Sequence, residues 1–191
     1  MRSRPAAPLR AAGRIFSILA IAALAGCAGA PVHLAAPPSL SPLVVADARI
    51  VAAHPRLECV TYARRASGIE IFGDAGTWWD RARGHYARGA APRPGAVMVF
   101  APYRGSPGHL AVVRRVAGPR VVVVDHADWL NDGNIHVATP VADVSPKGDW
   151  SRVRVWYSPG GTWGQRIYAI EGFIYPSPLV ADTLGASQDR G

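Results

Sequence analysis

The chain has 191 residues, of which 49% are hydrophobic and 18% are charged, so it can bury a core and is not globally disordered. This length suits one domain with tails, and no recurring spacing indicates a repeat architecture. The net charge of +8 is unevenly placed, because four arginines fall within the first 26 residues, which contain no acidic residue. The remaining 17 basic and 13 acidic residues are scattered, so no nucleic-acid partner is expected.

The N-terminal segment predicts export and lipid anchoring. Its arginines precede an apolar run, Ile15 to Ala25, which is too short to span a bilayer and suits the core of a signal peptide. The run ends in Leu24-Ala25-Gly26-Cys27, which resembles the lipobox of bacterial lipoproteins. This resemblance implies cleavage before Cys27 and lipidation of its sulfur. The expected location is the bacterial cell envelope, with a lipid anchor in the outer membrane and the protein facing the periplasm. An ordinary secretory peptide, with Cys27 incidental, is the alternative.

Composition divides the chain into four parts. Residues 1–26 are the predicted signal peptide, and residues 27–46 are an Ala- and Pro-rich tether that carries the lipidated Cys27. Residues 47–176 form the predicted folded domain, and residues 177–191 form a polar tail. We expect a monomer.

The folded domain is predicted to begin with helices and to continue with strands. A short helix is predicted over 59–66, ended by Gly68, and a second over 78–86, with Thr77 and Asp80 as a capping pair. Six strands are predicted to follow, over 96–100, 108–113, 121–125, 134–138, 152–157 and 168–175. The four valines at 121–124 indicate a strand that is buried on both faces. This order of helices and antiparallel strands predicts an α+β fold.

Cys59 is the candidate nucleophile. If Cys27 is lipidated, Cys59 is the remaining free thiol, and it lies in the first turn of the first predicted helix. Helix N-termini stabilise anions, so the sequence predicts a lowered pKa and a reactive thiolate. A nucleophilic thiol needs a base, and His109 at the start of a predicted strand is the best candidate. A buried and inert Cys59 is the alternative.

A third group is needed to orient His109. If the two strands around Gly118-Pro119 pair antiparallel, residues whose numbers sum to about 237 face each other, and His109 then faces Asp128. Alternation along the second strand places His126 on the same face as Asp128 and Asp125 on the opposite face. The register therefore favours Asp128 as the partner of His109.

Four segments together resemble a CHAP domain, the cysteine- and histidine-dependent amidohydrolase/peptidase family: Cys59–Arg64, Pro94–Phe100, Gly108–Val113 and Asp125–Trp129. The family is related to NlpC-type enzymes and to the papain-like fold, and the resemblance covers residues 55–176. It implies N-terminal helices packed on an antiparallel sheet of five to six strands. It also implies peptidoglycan as the substrate, Cys59 as nucleophile, His109 as general base, an acyl-enzyme intermediate and no cofactor.

The third motif of this sequence departs from the family pattern. Many members have a Glu followed two residues later by an Asn before a Trp. Anchored on Trp129, these two positions hold His126 and Asp128. A histidine cannot replace a carboxylate as a negative partner, so Asp128 is predicted as the third catalytic residue. Asp125 and His126 are the alternatives.

Other aromatic residues and histidines have weaker claims. Tyr62 is a candidate neighbour of the active site, although packing is the alternative. Three tryptophans are candidates for a substrate groove, with a structural role as the alternative for the first two: Trp78, Trp79 and Trp129. Three histidines are interpreted as surface or structurally satisfied residues: His54, His85 and His136.

The leading interpretation is a cell-wall hydrolase that cleaves amide bonds of peptidoglycan, either as a stem-peptide endopeptidase or as an N-acetylmuramoyl-L-alanine amidase. Alternatives are a non-catalytic peptidoglycan-binding lipoprotein with a degenerate CHAP fold, a CHAP-like acyltransferase, and a zinc-dependent hydrolase. The zinc ligands would be Cys59, His109, His126 and Asp128. Their spacing lacks the tight pairs of zinc motifs, so no metal is expected.

Overall fold

The computed structural model describes residues 33–178. The predicted signal peptide, the lipidation site Cys27 and most of the polar tail lie outside the described residues. Within the predicted tether, the N–H of Ala35 donates to the carbonyl of Val144 at 2.9 Å, and the Trp163 indole N–H donates to the carbonyl of Pro38 at 3.0 Å. These hydrogen bonds tie residues 35–38 to the folded domain.

The described residues form three short α-helices and nine strands. The helices are α1 (Pro42–Val45), α2 (Cys59–Ser67) and α3 (Trp78–Arg81), with 3₁₀ turns at Ala75–Thr77 and Ser158–Gly160. The strands are β1 (Arg49–Val51), β2 (Tyr86–Gly89), β3 (Val97–Phe100), β4 (His109–Gly118), β5 (Val121–Ala127), β6 (Ile135–Asp143), β7 (Arg152–Tyr157), β8 (Thr162–Trp163) and β9 (Tyr168–Pro178). No helix in this part of the chain is long and apolar enough to cross a membrane.

Six of the strands close into an antiparallel barrel. The order is β6-β5-β4-β3-β9-β7, and β7 pairs back to β6 through Val141↔Val155 and its neighbours. β1 extends the sheet from β6, β2 pairs with β9, and β8 pairs with β7. Shifts of register within the β4–β5 and β5–β6 pairs mark bulges, which bend strands and so help a sheet to close.

The predicted α+β arrangement of helices packed on an open sheet of five to six strands is wrong. The structure is mostly β and only about 16% helical. The sheet closes because β6 runs to Asp143, well beyond the predicted 134–138, and pairs with both β5 and β7. A strand with neighbours on both sides leaves no open edge there.

The second predicted helix is also shorter than expected. α3 ends at Arg81, Gly84 has a positive φ of 78°, and residues from Tyr86 form strand β2. The predicted capping pair does not form, because the Thr77 hydroxyl donates to the carbonyl of Asp74 rather than to the helix. Glycine adopts a positive φ without steric cost, so Gly84 allows the chain to leave the helical direction after α3 and to enter β2.

Two hydrophobic clusters lie on the two faces of the sheet. One contains inward-facing residues of all six barrel strands, among them Met98, Val113, Val124 and Phe173. The other packs α2 and α3 against the outer face of β3, β4 and β9, with Trp78 fully buried in it. Alternation along β4 places His109 in the inward-facing series with Ala111 and Val113, at the end of the barrel.

Candidate active site

Helix α2 presents Cys59 as its first residue. Glu58 has extended backbone angles of φ −80° and ψ 153°, so the chain enters the helix directly at Cys59. Ala63 is buried on the inner face of α2, and Gly68 ends the helix in the left-handed conformation with φ 75°. The predicted position of Cys59 in the first turn and the predicted glycine stop are both confirmed.

Cys59 and His109 line the same cleft, which has a volume of about 680 Å³. Volumes of this size are usual for sites that bind small molecules or short polymer segments. Asp128 and Trp129 line the cleft as well. The structure therefore brings together the predicted nucleophile, the predicted base and one candidate for the groove.

The backbone before His109 is fixed by a close approach of two glycines. Gly108 has φ 90°, and a Cβ there would lie 2.8 Å from the carbonyl oxygen of Phe100 and 3.0 Å from the nitrogen of Gly76. The N–H of Gly76 donates to the carbonyl of Pro107 at 2.6 Å. Gly108 therefore leaves room for the neighbouring backbone.

His109 is held by His126 and by a cage of aromatic rings. The Nε2 atom of His109 lies 2.9 Å from Nδ1 of His126, within hydrogen-bond distance. The ring of Trp129 lies 4.8 Å from the His109 ring, and that of Phe100 lies 5.6 Å away, both nearly edge-on. Because Nε2 is engaged with His126, the Nδ1 atom is the nitrogen that His109 has left for the cleft.

Asp128 takes a different place from the one predicted. The register itself is confirmed at Val112↔Asp125 and Val113↔Val124, whose numbers sum to 237. However, β5 ends at Ala127, and Asp128 turns away with φ 60°, a conformation that Asp adopts more readily than most residues. Its Oδ1 accepts a hydrogen bond from the N–H of Gly133 at 2.7 Å. Strand alternation therefore does not extend to Asp128, and the contact with His109 falls to His126.

Asp125 points away from the cleft, as alternation predicted. Its carboxylate forms an ion pair with Arg114 at 2.9 Å and accepts a hydrogen bond from the N–H of Ala138 at 2.7 Å. The structure gives Asp125 a bracing contact between β4, β5 and β6, outside the residues that line the cleft.

Three predicted neighbours of the site lie elsewhere in the fold. Trp78 is fully buried in the cluster beneath α3. Trp79 packs on Gly172 and under the guanidinium of Arg88, in a separate depression. Tyr62 packs against the same cluster as Trp78. Trp129 alone of the three tryptophans lines the cleft with Cys59 and His109.

Burial controls the charge of the nucleophile and of the base. Burial raises the pKa of the Cys59 thiol above its ordinary 9.0, and the nearby carboxylate of Asp128 adds to this, although the N–H groups of Leu110 and Val60 oppose it. Burial also lowers the pKa of His109 to about 3, with a smaller contribution from His136. The predicted lowering of the Cys59 pKa is wrong in direction, because desolvation outweighs the helix N-terminus. The free site therefore holds a neutral thiol and a neutral imidazole.

This charge state predicts how Cys59 reacts with iodoacetamide. Alkylation requires the thiolate, so its rate should be low near pH 7 and should rise through about pH 9 and above, following the raised pKa of Cys59. The rate can be measured by mass spectrometry against a small model thiol. A rate that is already at its plateau near pH 6 would show instead a preformed thiolate–imidazolium pair.

Two residues near the site were missed by sequence reasoning. His136 was interpreted as a surface or satisfied histidine, yet it is 2% exposed and its ring lies 5.3 Å from that of His126. Asp132 lies beside His136, with 3.4 Å between Oδ2 and Nε2. A pattern of His126, Asp132 and His136 flanking a turn was visible in the sequence, but their contact depends on the pairing of β5 with β6.

Between residues 33 and 178, no group of three or more His, Cys, Asp or Glu side chains is arranged to hold a metal ion. Cys59 and His109 place a thiol and an imidazole on neighbouring elements of one cleft, an arrangement typical of hydrolases that use a cysteine nucleophile.

The family model of the CHAP domain matches residues 52–128, which include Cys59, His109 and His126. This match bears out the resemblance stated from the motifs over residues 52–128, and it is consistent with a CHAP domain-containing protein. The CHAP family is generally hydrolytic on peptidoglycan, so the match suggests a function of the peptidoglycan hydrolase or amidase type. No curated protein matches the chain by sequence.

Proposed function

We propose that this protein is a cysteine-dependent hydrolase that cleaves amide bonds of peptidoglycan. The observation that carries the proposal is the shared cleft of Cys59 and His109, with His109 backed by His126 at 2.9 Å. A thiol, a base and a group that orients the base are the three parts that thiol hydrolysis needs. We assign these roles to Cys59, His109 and His126.

The tautomers of the two histidines follow from the role of His109 as base. The Nδ1 atom of His109 must present a lone pair to the thiol, so the proton is on Nε2. This Nε2–H donates a hydrogen bond to Nδ1 of His126. His126 in turn carries its own proton on Nε2. Burial lowers the pKa of His126 well below 6.5, so it remains the neutral acceptor that this hydrogen bond requires.

The reaction then proceeds in two halves. His109 Nδ1 takes the proton of the Cys59 thiol while the sulfur attacks the amide carbonyl and forms a C–S bond. The protonated His109 gives that proton to the amine, the C–N bond breaks, and an acyl-enzyme remains. Water attacks the thioester with His109 again as base, and the C–S bond breaks. This step releases the carboxylic acid product and restores the thiol.

The first turn of α2 is suited to stabilise the oxyanion formed by that attack. The first N–H groups of a helix have no partner within the helix, and Cys59 is the first residue of α2. The N–H of Cys59 therefore supports an oxyanion site next to the nucleophile. Removal of one such donor typically costs about 100- to 1000-fold in kcat.

The lining of the cleft supports a peptide substrate with charges of both signs. The cleft that contains Cys59 is lined by the acidic residues Glu58, Asp74 and Asp128 and by the basic residues Arg64 and Arg166. The stem peptides of peptidoglycan carry carboxylates and an amine, so such a mixed lining fits them better than it fits a neutral glycan. We favour a bond in or next to the stem peptide, either within it or at the muramoyl–alanine junction.

Digestion of purified peptidoglycan tests this proposal. The protein should release soluble fragments whose masses, after separation, distinguish a new stem-peptide terminus from a freed lactyl carboxyl group. Peptidoglycan that binds the protein and yields no new fragments would contradict the hydrolase and favour the non-catalytic binding lipoprotein.

We also propose that the protein is anchored in the outer membrane through lipid on Cys27 and faces the periplasm. The support is the order of arginines, apolar run and Leu24-Ala25-Gly26-Cys27. Cys27→Ser should abolish lipidation and leave the protein unprocessed or in the soluble exported fraction, whereas Cys59→Ser should stay in the membrane fraction. Recovery of Cys27→Ser in membranes at the mature mass would contradict the anchor.

A further inference from the structure

His126, the third residue of the proposed site, has one ring nitrogen that faces His109 and a second, Nε2, without a hydrogen-bond partner among the described residues. The side chain is fully buried. A buried polar nitrogen without a partner is costly, and such atoms need an explanation. The explanation must lie with the groups packed behind His126.

His136 is the polar residue placed directly behind His126. The two residues are cross-strand partners in the β5–β6 pair, and their rings are 5.3 Å apart in an edge-to-face arrangement. His136 is itself 2% exposed, and its Nε2 lies 3.4 Å from the carboxylate of Asp132, without the geometry of a full hydrogen bond. With Nε2–H directed at Asp132, the Nδ1 atom of His136 carries the lone pair, and the His136 ring contacts that of His126 without a hydrogen bond.

Asp132 is the last residue of a series that runs from His109 through His126 and His136, and its carboxylate is kept negatively charged. Partial burial acts to raise its pKa, but hydrogen bonds from the N–H and the side-chain amide of Asn134, together with nearby His136, lower the pKa below its ordinary value. Asp128 is the other carboxylate whose charge acts on His136. It already accepts from Gly133 and lines the cleft, so it is not part of the series.

We propose that Asp132 and His136 are positioning residues that act on His109 through His126. Asp132 fixes the ring of His136, and His136 favours the Nε2–H tautomer of His126. In this tautomer the Nδ1 atom of His126 can accept a hydrogen bond from the Nε2–H of His109. The carboxylate of Asp132 also stabilises the positive charge that forms on His109 when it takes the thiol proton. Many members of the family have a glutamate at the position of His126. In this chain the carboxylate is that of Asp132, which is separated from His109 by His126 and His136.

This inference depends on the proposed thiol mechanism, but it stands on residues beyond the family match. The matched region ends at residue 128, before both Asp132 and His136. The geometry of these two residues is thus a property of this chain's own β5–β6 turn and of the strand that follows it.

The test compares Asp132→Asn with Asp149→Asn. The two aspartates are matched, because each accepts the backbone N–H two residues further on, at 3.0 Å in both cases. Asparagine keeps this acceptor and removes the charge. Hydrolysis of peptidoglycan and iodoacetamide alkylation of Cys59 at about pH 7 and about pH 10.5 are measured for each variant.

We expect Asp132→Asn to lower hydrolysis by roughly 10- to 100-fold. It should lower alkylation near pH 7 several-fold, because the small fraction of thiolate present at that pH is paired with a protonated histidine. Alkylation near pH 10.5 should be unchanged, since the thiolate then forms without that proton transfer. Asp132→Glu should restore part of both losses. Asp149→Asn should match the unaltered protein, and thermal unfolding monitors the fold of every variant.

Several results would overturn the inference. An Asp132→Asn protein with unchanged hydrolysis and unchanged alkylation, while Cys59→Ala is inactive, leaves the proposed function standing and removes the role of Asp132. Equal losses of alkylation at both pH values show a structural effect only. If Cys59→Ala retains hydrolysis, the proposed function fails. The pH dependence of Cys59 alkylation in Asp132→Asn still decides whether Asp132 acts on Cys59 and His109.

Discussion

Cys59→Ala should abolish the hydrolysis of peptidoglycan. The sulfur forms the bond that splits the reaction into two steps, and alanine offers no nucleophile, so we expect a loss of at least about 10⁴-fold. The side chain is only part-buried and packs at the edge of the cluster beneath α2, so the fold should survive. Release of soluble fragments measures activity, and circular dichroism measures the fold.

Two controls make this result specific. Cys59→Ser keeps the size of the side chain and should be nearly as inactive, because a serine hydroxyl is a far weaker acid than a thiol. EDTA should leave the unaltered protein active. Activity that is lost with EDTA and restored by zinc would contradict the thiol mechanism and favour the zinc-dependent alternative.

The elements that sequence could predict are those set by local signals. Helix α2 was predicted because Gly68 can take a positive φ at its end, and the structure has it there. The valines of β5 were predicted to be buried on both faces, and Val122 to Val124 are fully buried. The β4–β5 register was predicted from a short turn between adjacent strands. In each case the information lies within about ten residues of sequence.

The closure of the barrel could not be predicted in this way. It depends on β9 pairing with both β7 and β3, and the β3–β9 partners Val97 and Ile174 are 77 residues apart in sequence. β2 and β8 were missed because they are short: β2 pairs with the distant strand β9, and β8 contributes only two residues to its pairing with β7. Non-local pairing leaves no periodic pattern in the segment itself, so the helix-rich sheet of the family resemblance was the wrong expectation.

In the active site, too, some features follow from local sequence and others depend on contacts that the sequence does not show. Cys59 and His109 follow from their positions at the start of a helix and of a strand, and the cleft contains both. The partner of His109 was predicted by extending strand alternation to Asp128, one residue beyond the end of β5. The positive φ of Asp128 is set by its hydrogen bonds with Gly133 and Asn134, which the register argument did not include.

A comparison of four variants decides which residue orients His109. His126→Ala removes the 2.9 Å contact with Nε2 of His109, and we expect kcat to fall by roughly 100- to 10,000-fold. His126 is fully buried, so alanine also leaves a cavity, and thermal unfolding must be measured beside activity. His126→Asn is the second variant, because its amide oxygen can still accept a hydrogen bond from the Nε2–H of His109. It should keep more activity than alanine.

Asp128→Asn and Asp125→Asn should behave differently from His126→Ala. Loss of the Asp128 carboxylate removes a charge that raises the pKa of Cys59, so alkylation near pH 7 should become faster, and hydrolysis should stay within about tenfold of the unaltered protein. Asp125→Asn breaks the ion pair with Arg114 on the far side of β5 and should lower thermal stability more than activity. If Asp128→Asn is the variant that loses hydrolysis while His126→Asn is near full activity, the carboxylate predicted from the register orients the base. The contact with His126 would then be only a packing contact, and the series that ends at Asp132 would lose its link to His109.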